Sequence, residues 1–532
     1  MKNTAKVLTA LALTGALALT ACGRVTSGDG SSSGAPAANS NTLIVGTTDQ
    51  VTTIDPAGSY DHGSLMIEVQ VYQFLYSFIP GQTVPTPDAA KECSFTQPTV
   101  FSCTLRDGLK FVNGDPLTSA SVKFSFDRVK KINDPNGPVS LLTNLSSVDA
   151  PDPLTVNFNL KNPNDQTFAQ VLATSAGPIV DEKVFSATAL TPDNDIVAAK
   201  AFSGPYTITT YKQNDTVVFA PNPDYVGNAP APVNGGITLK NFTDATNLKL
   251  SISNGDIDVA YRSLTPTDLD SLKQDSNVNV VQAKGGEIRY LTFNLKTMPG
   301  DNDDQKLAIR QSVASLIDRD ALSTQVYKTQ YTPLCSYVPD GYAGANKAVC
   351  DAYPLDKDKA AKYLSDAGVA TPVTLNLQYN PDHYGSSSDQ EYGLIKQQLE
   401  ASGLFKVNLQ ATAWTQYSKE RTQDAYPVFQ MGWFPDFPDA DNYLSPFFTA
   451  DSFLAQHFDQ KDIQDAIAQE VSETDASART TEIEDIQTDL ATKYLPTIPM
   501  LQGSQWAVAR TDVQGVNLGI SENLLFISLN KA

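Results

Sequence analysis

The chain has 532 residues, too many for one hydrophobic core, and at about 150 residues per domain it divides into roughly three to four structural units. With 41% hydrophobic and 18% charged residues, and 31 Gly and 32 Pro, the composition is that of a folded globular protein and excludes wholesale disorder. Lys and Arg total 38 against 59 Asp and Glu, a net charge of −21, which repels phosphate backbones and argues against a nucleic-acid partner.

At the N-terminus Lys2 and Lys6 precede an apolar run from Val7 to Leu19. About 13 residues suit a secretory signal and fall short of the roughly 20 that span a bilayer. The run ends in Leu19-Thr20-Ala21-Cys22, which resembles the bacterial lipoprotein processing box, in which the cysteine thiol receives a lipid and becomes the new N-terminus. The resemblance implies a signal peptide at 1–21, lipidation of Cys22 and a body anchored on the outer face of the cytoplasmic membrane. An ordinary signal with an incidental cysteine is the alternative. Residues 22–41 are rich in Gly, Ser, Ala and Asn and read as a flexible linker. They include Gly30-Ser31-Ser32-Ser33-Gly34, but no buried strand precedes it and no helix follows, so it forms no nucleophile elbow.

Thiols oxidise outside the cytoplasm. With Cys22 given to lipid, Cys93 with Cys103 and Cys335 with Cys350 are expected as two local disulfides, each contributing at most about 3 kcal/mol. Four free buried thiols are the alternative. There is no Cys-x-x-Cys pair, hence no zinc ribbon or thioredoxin-like site.

In chain order, Thr42 to Thr48 reads as a strand leading into the extended turn Ile54-Asp55-Pro56, and Leu65, Val69, Tyr72 and Leu75 repeat at helical spacing. Val100 to Phe111 predicts two short strands joined by Asp107-Gly108, and Thr118 caps a helix whose apolar face is Val122, Phe126 and Val129. Strands return at Tyr206 to Thr210, Thr216 to Ala220, Ile237 to Leu239 and Ile257 to Tyr261. A strand at Tyr290 to Asn294 then opens a region of alternating elements. Helices are expected over Leu307 to Tyr327, Asp356 to Ala367, Gln390 to Ala401, Ile463 to Val471 and Arg479 to Lys493, with strands at Val373 to Tyr379 and Val407 to Ala411. Gln505 to Leu529 is strand-like and is expected to return to the first sheet. This divides the chain into a sheet lobe (42–81, 200–284 and 505–532), an inserted α+β subdomain (82–199) and an α/β lobe (285–504), joined by more than one crossing as in a hinged clamp.

No catalytic constellation accompanies this layout. His62, His383 and His457 are the three histidines, none at metal-ligand spacing, and no metal site is expected. Phosphate-cradling Gly-rich loops are missing too, so no nucleotide or other cofactor is expected. The acidic run Asp301 to Asp304 lacks the Gly and Glu of a calcium loop. Abundant carboxylates leave a secreted hydrolase as a remote alternative, with no spacing that points to one.

The stretch from Phe101 to Val129, FSCTLRDGLKFVNGDPLTSASVKFSFDRV, resembles the signature of the family 5 bacterial extracellular solute-binding proteins. Ser119-Ala120-Ser121 departs from it where members carry acidic residues, a departure expected to weaken the helix cap. Ser203-Gly204-Pro205-Tyr206, Asn222-Pro223-Asp224-Tyr225, Asn254-Gly255-Asp256-Ile257-Asp258 and the Arg310, Ile317, Asp318, Arg319 set follow in the family's order. Gly432-Trp433-Phe434-Pro435-Asp436-Phe437-Pro438-Asp439 resembles the segment that lines the family's ligand cleft.

The resemblance implies a type II periplasmic-binding-protein clamshell, two hinged α/β lobes plus the inserted subdomain. It implies a monomer that catalyses nothing, captures a short peptide and hands it to an ABC permease. A nickel chelate, haem or an oligosaccharide is the runner-up cargo. It implies that Asp436 pairs with the ligand's ammonium, that the backbone around Gly432, Trp433 and Phe434 bonds an extended peptide, and that Thr53, Asp55 and Tyr60 meet the ligand. His62 is the first candidate for a metal chelate and otherwise a surface residue, while Trp414 and Trp506 are expected to be buried structural indoles.

Overall fold

The computed structural model describes residues 41–532 except 80, 81, 83, 263, 382, 386, 451 and 519–523. The expected signal, Cys22 and nearly all of the linker lie outside the described residues.

Two long strands, Val278–Phe293 and Thr497–Arg510, pair antiparallel through most of their length. From Val278↔Arg510 to Lys284↔Ser504 the register is regular, and it resumes, shifted, at Ile288↔Gln502. Gly285, Gly286 and Gly503 occupy the break. A Cβ on Gly285 would stand 2.8 Å from the Gly503 carbonyl oxygen, so only glycine allows the backbones this approach. Beside Thr497–Arg510 the sheet continues through Val259–Tyr261, Thr42–Thr47, Gly236–Asn241, Thr216–Pro221 and Tyr206–Lys212. On the other side it continues through Val428–Trp433, Val373–Tyr379 and Phe405–Ala411. With Tyr331–Pro333, which also pairs with Thr497–Arg510, one eleven-stranded sheet runs through both lobes, and the bulge at its middle is the place where it can bend.

Each half of the sheet has its own core. Leu43, Val45, Ile237 and Leu239 lie at the centre of the first, and Leu375, Leu377, Val428 and Phe429 at that of the second. A third core belongs to the inserted α+β subdomain, a four-stranded antiparallel sheet whose alternating Phe101, Cys103 and Leu105 meet Val122, Phe126 and Val129 of helix Ser119–Ile132. Val180, Phe185 and Ile196, later in the chain, are buried with the first lobe's core. Both expected disulfides, Cys93–Cys103 and Cys335–Cys350, are formed. Among the described residues no helix is long and apolar enough to cross a membrane.

Several elements differ from expectation. Asp107-Gly108 turns the chain without making a hairpin, because strand Val100–Leu105 takes its partners from Ala90–Gln97 and Thr155–Leu160. The residues beyond the turn fold back on themselves, Leu117 N–H donating to the Leu109 carbonyl. The helix expected from Leu307 to Tyr327 is broken. It runs over Asp303–Ala314 and restarts at Arg319–Ala321, where the Asp318 side chain accepts from Ala321 N–H as a new N-cap. Ser121 does not weaken the cap of helix Ser119–Ile132, since its hydroxyl accepts from Thr118 N–H at 3.2 Å and completes a capping box. The strand expected at Tyr290 to Asn294 is the far end of the long crossing strand.

A Cβ on Gly286 would lie 2.5 Å from Pro435 Cγ and 2.6 Å from the Tyr342 and Tyr443 hydroxyl oxygens. Gly286→Ala is expected to cost about 1–3 kcal/mol, the range for overpacking, read from the midpoint of chemical denaturation. An unchanged midpoint would contradict close packing at the crossing.

Candidate ligand-binding cleft

Over the strand crossing lies a cavity of about 390 Å³, walled from both lobes. That volume is at the small end of the roughly 300–1,000 Å³ of small-molecule sites. Asp49, Tyr261 and Arg262 come from the first lobe, Ser504, Gln505 and Trp506 from the crossing strand, and Glu287, Arg289, Tyr331, Tyr384 and Phe434 from the second lobe.

Arg289 is 1% exposed and stands opposite Gly432 in the ladder, where a Cβ would come within 2.9 Å of its Nη1. Glycine at 432 is what leaves room for the guanidinium. The charge is tolerated in the interior because Glu287 pairs with it, Nη2 donates to the Tyr331 hydroxyl (3.1 Å) and the Tyr384 carbonyl (3.0 Å), and the Tyr384 ring lies 4.4 Å away. Behind it, buried Glu391 accepts from the Tyr327 hydroxyl at 2.7 Å, and burial pushes its carboxyl up to about 7 against the pull of Arg289. Across the cavity Arg262 has a left-handed backbone (φ 64°) and pairs with Asp49 at 3.2 Å, its guanidinium 5.5 Å from the Phe434 ring centre. A non-glycine residue held at positive φ on a cavity wall is the kind of strain that collects at functional sites.

The residues expected from sequence are distributed unevenly around this cavity. Phe434 lines it, with His62 at 5.6 Å and His383 at 6.2 Å from its ring. Burial and the nearby Arg262 and His383 hold the His62 imidazole well below its ordinary value, and no described group of His, Cys, Asp and Glu is arranged to hold a metal ion. The Trp433 indole N–H donates to Asn442 Oδ1 (2.8 Å) and its ring packs edge-on against Phe447 and Phe453, so its side chain serves the second lobe's packing.

Asp436 and Tyr60 meet across the cleft outside the cavity, the Tyr60 hydroxyl donating to the carboxylate while Asn442 Nδ2 donates at 3.2 Å. Asp436 is half-buried, and burial pushes its carboxyl up to about 6. Tyr60 remains 40% exposed.

Thr53 and Asp55 are turned elsewhere. The Thr53 hydroxyl donates to Asp193 at 2.5 Å. Asp55 is fully buried and bidentate with Arg128 of the subdomain helix (2.6 and 2.5 Å), and it also accepts from Ala57 N–H and Thr191 N–H. Its acceptor capacity is used within the protein. Trp414 is half-buried and stacks on His383 at 3.8 Å, whereas Trp506 lines the cavity. Arg262, Arg289 and Gln505 were not anticipated, although the charged residues flanking Gly285-Gly286 are a signal that a strand carries charge into a hinge. Further contacts join the lobes around the same segment. Phe437 is buried in the subdomain's core, and Gln170 Nε2 donates to Asp439 at 2.9 Å.

The profile of the bacterial extracellular solute-binding proteins, family 5, matches residues 84–454, and the chain belongs to that family. Its members are extracytoplasmic binding proteins. The chain is 26% identical over 459 residues to the Escherichia coli K12 protein named "Probable D,D-dipeptide-binding periplasmic protein DdpA", covering 84% of this chain and 85% of that one. It is 24% identical over 476 residues to the glutathione-binding protein GsiB of Salmonella paratyphi A, covering 88% and 90%. Among solved structures it shares its fold with HbpA2 from Haemophilus parasuis (TM-score 0.78, 20% identity, 92% of this chain and 100% of that one). It shares it also with a dipeptide-binding protein from Pseudoalteromonas sp. SM9913 in complex with Met-Leu (TM-score 0.75, 20% identity, 92% and 100%).

Asp55→Ala would leave the Arg128 guanidinium buried without its counter-charge, a loss of about 3–5 kcal/mol in denaturant unfolding. A loss below about 1 kcal/mol, the size of an exposed pair, would contradict a structural role for Asp55.

Proposed function

We propose that the chain is the substrate-binding component of an ABC importer, which captures short peptides between its lobes, alters no covalent bond in them and delivers them to the permease. The observation that carries this reading is the cavity over the strand crossing. Each of its walls brings a carboxylate beside a guanidinium, Asp49 with Arg262 and Glu287 with Arg289. Such walls suit a small guest that carries both charges, and the rings of Tyr384 and Phe434 suit its side chains. The ligands that the relatives and neighbours are named for, dipeptides and glutathione, support the same class.

In this reading the guest's ammonium exchanges with the Tyr60 hydroxyl at Asp436, a charge-assisted bond contributing about 1.5–3 kcal/mol. The protein works as a monomer, tethered through a lipid on Cys22 after removal of residues 1–21. Its working units are the sheet lobe at 42–81, 200–284 and 505–532, the subdomain at 82–199 and the lobe at 285–504.

A thermal-shift panel tests the cargo. A peptide at a hundred times its Kd raises stability by about 2.7 kcal/mol and is recovered unchanged. Stabilisation by a nickel chelate or an oligosaccharide and by no peptide, or turnover of the stabilising compound, would overturn the reading. The raised value of Asp436 adds a pH dependence. A carboxyl lifted from about 4 to about 6 binds more protons folded than unfolded, so its contribution to the stability of the empty protein falls as pH rises through that window. Binding has the opposite sign, because only the carboxylate pairs with an ammonium. Affinity for free-amine peptides is expected to fall by up to about tenfold per pH unit below about 6, measured by titration calorimetry, while acetylated peptides and the Asp436→Asn protein lack this dependence. An identical pH profile in the Asp436→Asn protein would remove Asp436 from the site.

A further inference from the structure

Gln505 and Trp506 lie on crossing strand Thr497–Arg510, just past the bulge, and both line the cavity. Gln505 is only 8% exposed, yet neither its amide oxygen nor its amide nitrogen has a hydrogen-bond partner, and the buried Trp506 indole N–H also lacks one. Among the described residues Gln505 is the only buried glutamine with both side-chain polar atoms in this condition. Gln502, earlier on the same strand and also buried, is the contrast. Its Nε2 donates to the Gly285 and Asp340 carbonyls (2.9 and 3.1 Å) and its Oε1 accepts from Asp340 N–H (2.8 Å). The strand thus satisfies a buried glutamine where structure alone requires it. Two residues past the bulge, one acceptor and two kinds of donor face the cavity unmatched. Buried polar groups left so destabilise the fold that carries them, which calls for an explanation outside that fold.

Resting on the peptide reading above, we propose that Gln505 and Trp506 form a subsite for a backbone amide of the guest. In an extended chain one residue's N–H and C=O point to the same side, as they do in a hydrogen-bonded β pair. A primary amide matches both at once, Oε1 accepting the guest N–H and Nε2 donating to the guest C=O. The Trp506 N–H then serves the next carbonyl or carboxylate oxygen. This pairing reads the main chain and ignores the side chain, so it makes the cavity selective for peptide groups and tolerant of sequence. It also places part of the guest against the crossing strand itself, where the two lobes meet.

The test uses Gln505→Met, close in volume and without polar atoms, and Gln505→Leu as a second variant. The probes are alanyl peptides of two to four residues and the same compounds with one amide replaced by an ester. Melting of the empty proteins and calorimetric Kd values are the readouts. The subsite predicts that both empty variants melt at or above the unsubstituted protein, because unmatched polar atoms are gone. It also predicts that affinity for the amide peptides drops about tenfold or more, and that a preference for amide over ester of similar size in the unsubstituted protein disappears in the variants. A merely structural Gln505 predicts lower melting with affinity and preference kept, and that result overturns the subsite while the peptide reading stands. Failure of the unsubstituted protein to bind any alanyl peptide overturns the subsite together with that reading.

Discussion

The antiparallel pairing of Val278–Phe293 with Thr497–Arg510 is the constraint on which the rest of the molecule depends. Because the same two strands belong to both halves of one sheet, the lobes cannot separate without breaking a continuous ladder. They can rotate only about the bulge, where the ladder is already interrupted and Gly285, Gly286 and Gly503 remove side-chain obstruction. The cavity lies over that same point, so whatever fills it touches the part of the chain whose bending sets the distance between the lobes. In the proposed reading, guest contact and lobe closure are one event.

Charge is arranged to suit such a device. Each wall of the cavity carries its ion pair within its own lobe, so opening exposes matched pairs rather than stranded charges. Besides the contacts of Arg262 and His62 with the Phe434 ring, three contacts that cross the cleft converge on one loop. Tyr60 reaches Asp436, Phe437 enters the subdomain's core, and Gln170 reaches Asp439. Three of these five residues fall between 436 and 439, so one short loop of the second lobe carries both the proposed ammonium contact and the docking of the subdomain.

Much of the fold was legible in the sequence because short-range rules decide it. Strand Val373–Tyr379 runs over the residues expected, since apolar and polar residues alternate along it without interruption. The long crossing strand was not legible as one element. Lys284-Gly285-Gly286-Glu287 looks like a loop, and only pairing across the hinge makes it part of a sheet. The site was half legible. Motif order located the Gly432 to Asp439 segment, and the family's use of the loop after the first strand pointed to Tyr60, which the structure brings to Asp436. Asp55 was assigned to the ligand because its loop faces the cleft in the family, but its carboxylate is spoken for by Arg128, 73 residues away, a pairing no local pattern announces. Arg289 and Gln505 were missed for the converse reason. On a strand a charged or amide side chain reads as solvent-facing, and only the tertiary fold shows that these two are buried beside a cavity.

The central claim is that a small guest shifts the two lobes from apart to together by bending one shared sheet. Small-angle X-ray scattering of the exported body, lacking residues 1–41, measures this directly. The account predicts a radius of gyration that is larger for the empty protein and falls on saturation with a peptide, toward the value calculated for the lobes in contact at Tyr60 and Asp436. Scattering curves that coincide with and without saturating peptide would contradict it.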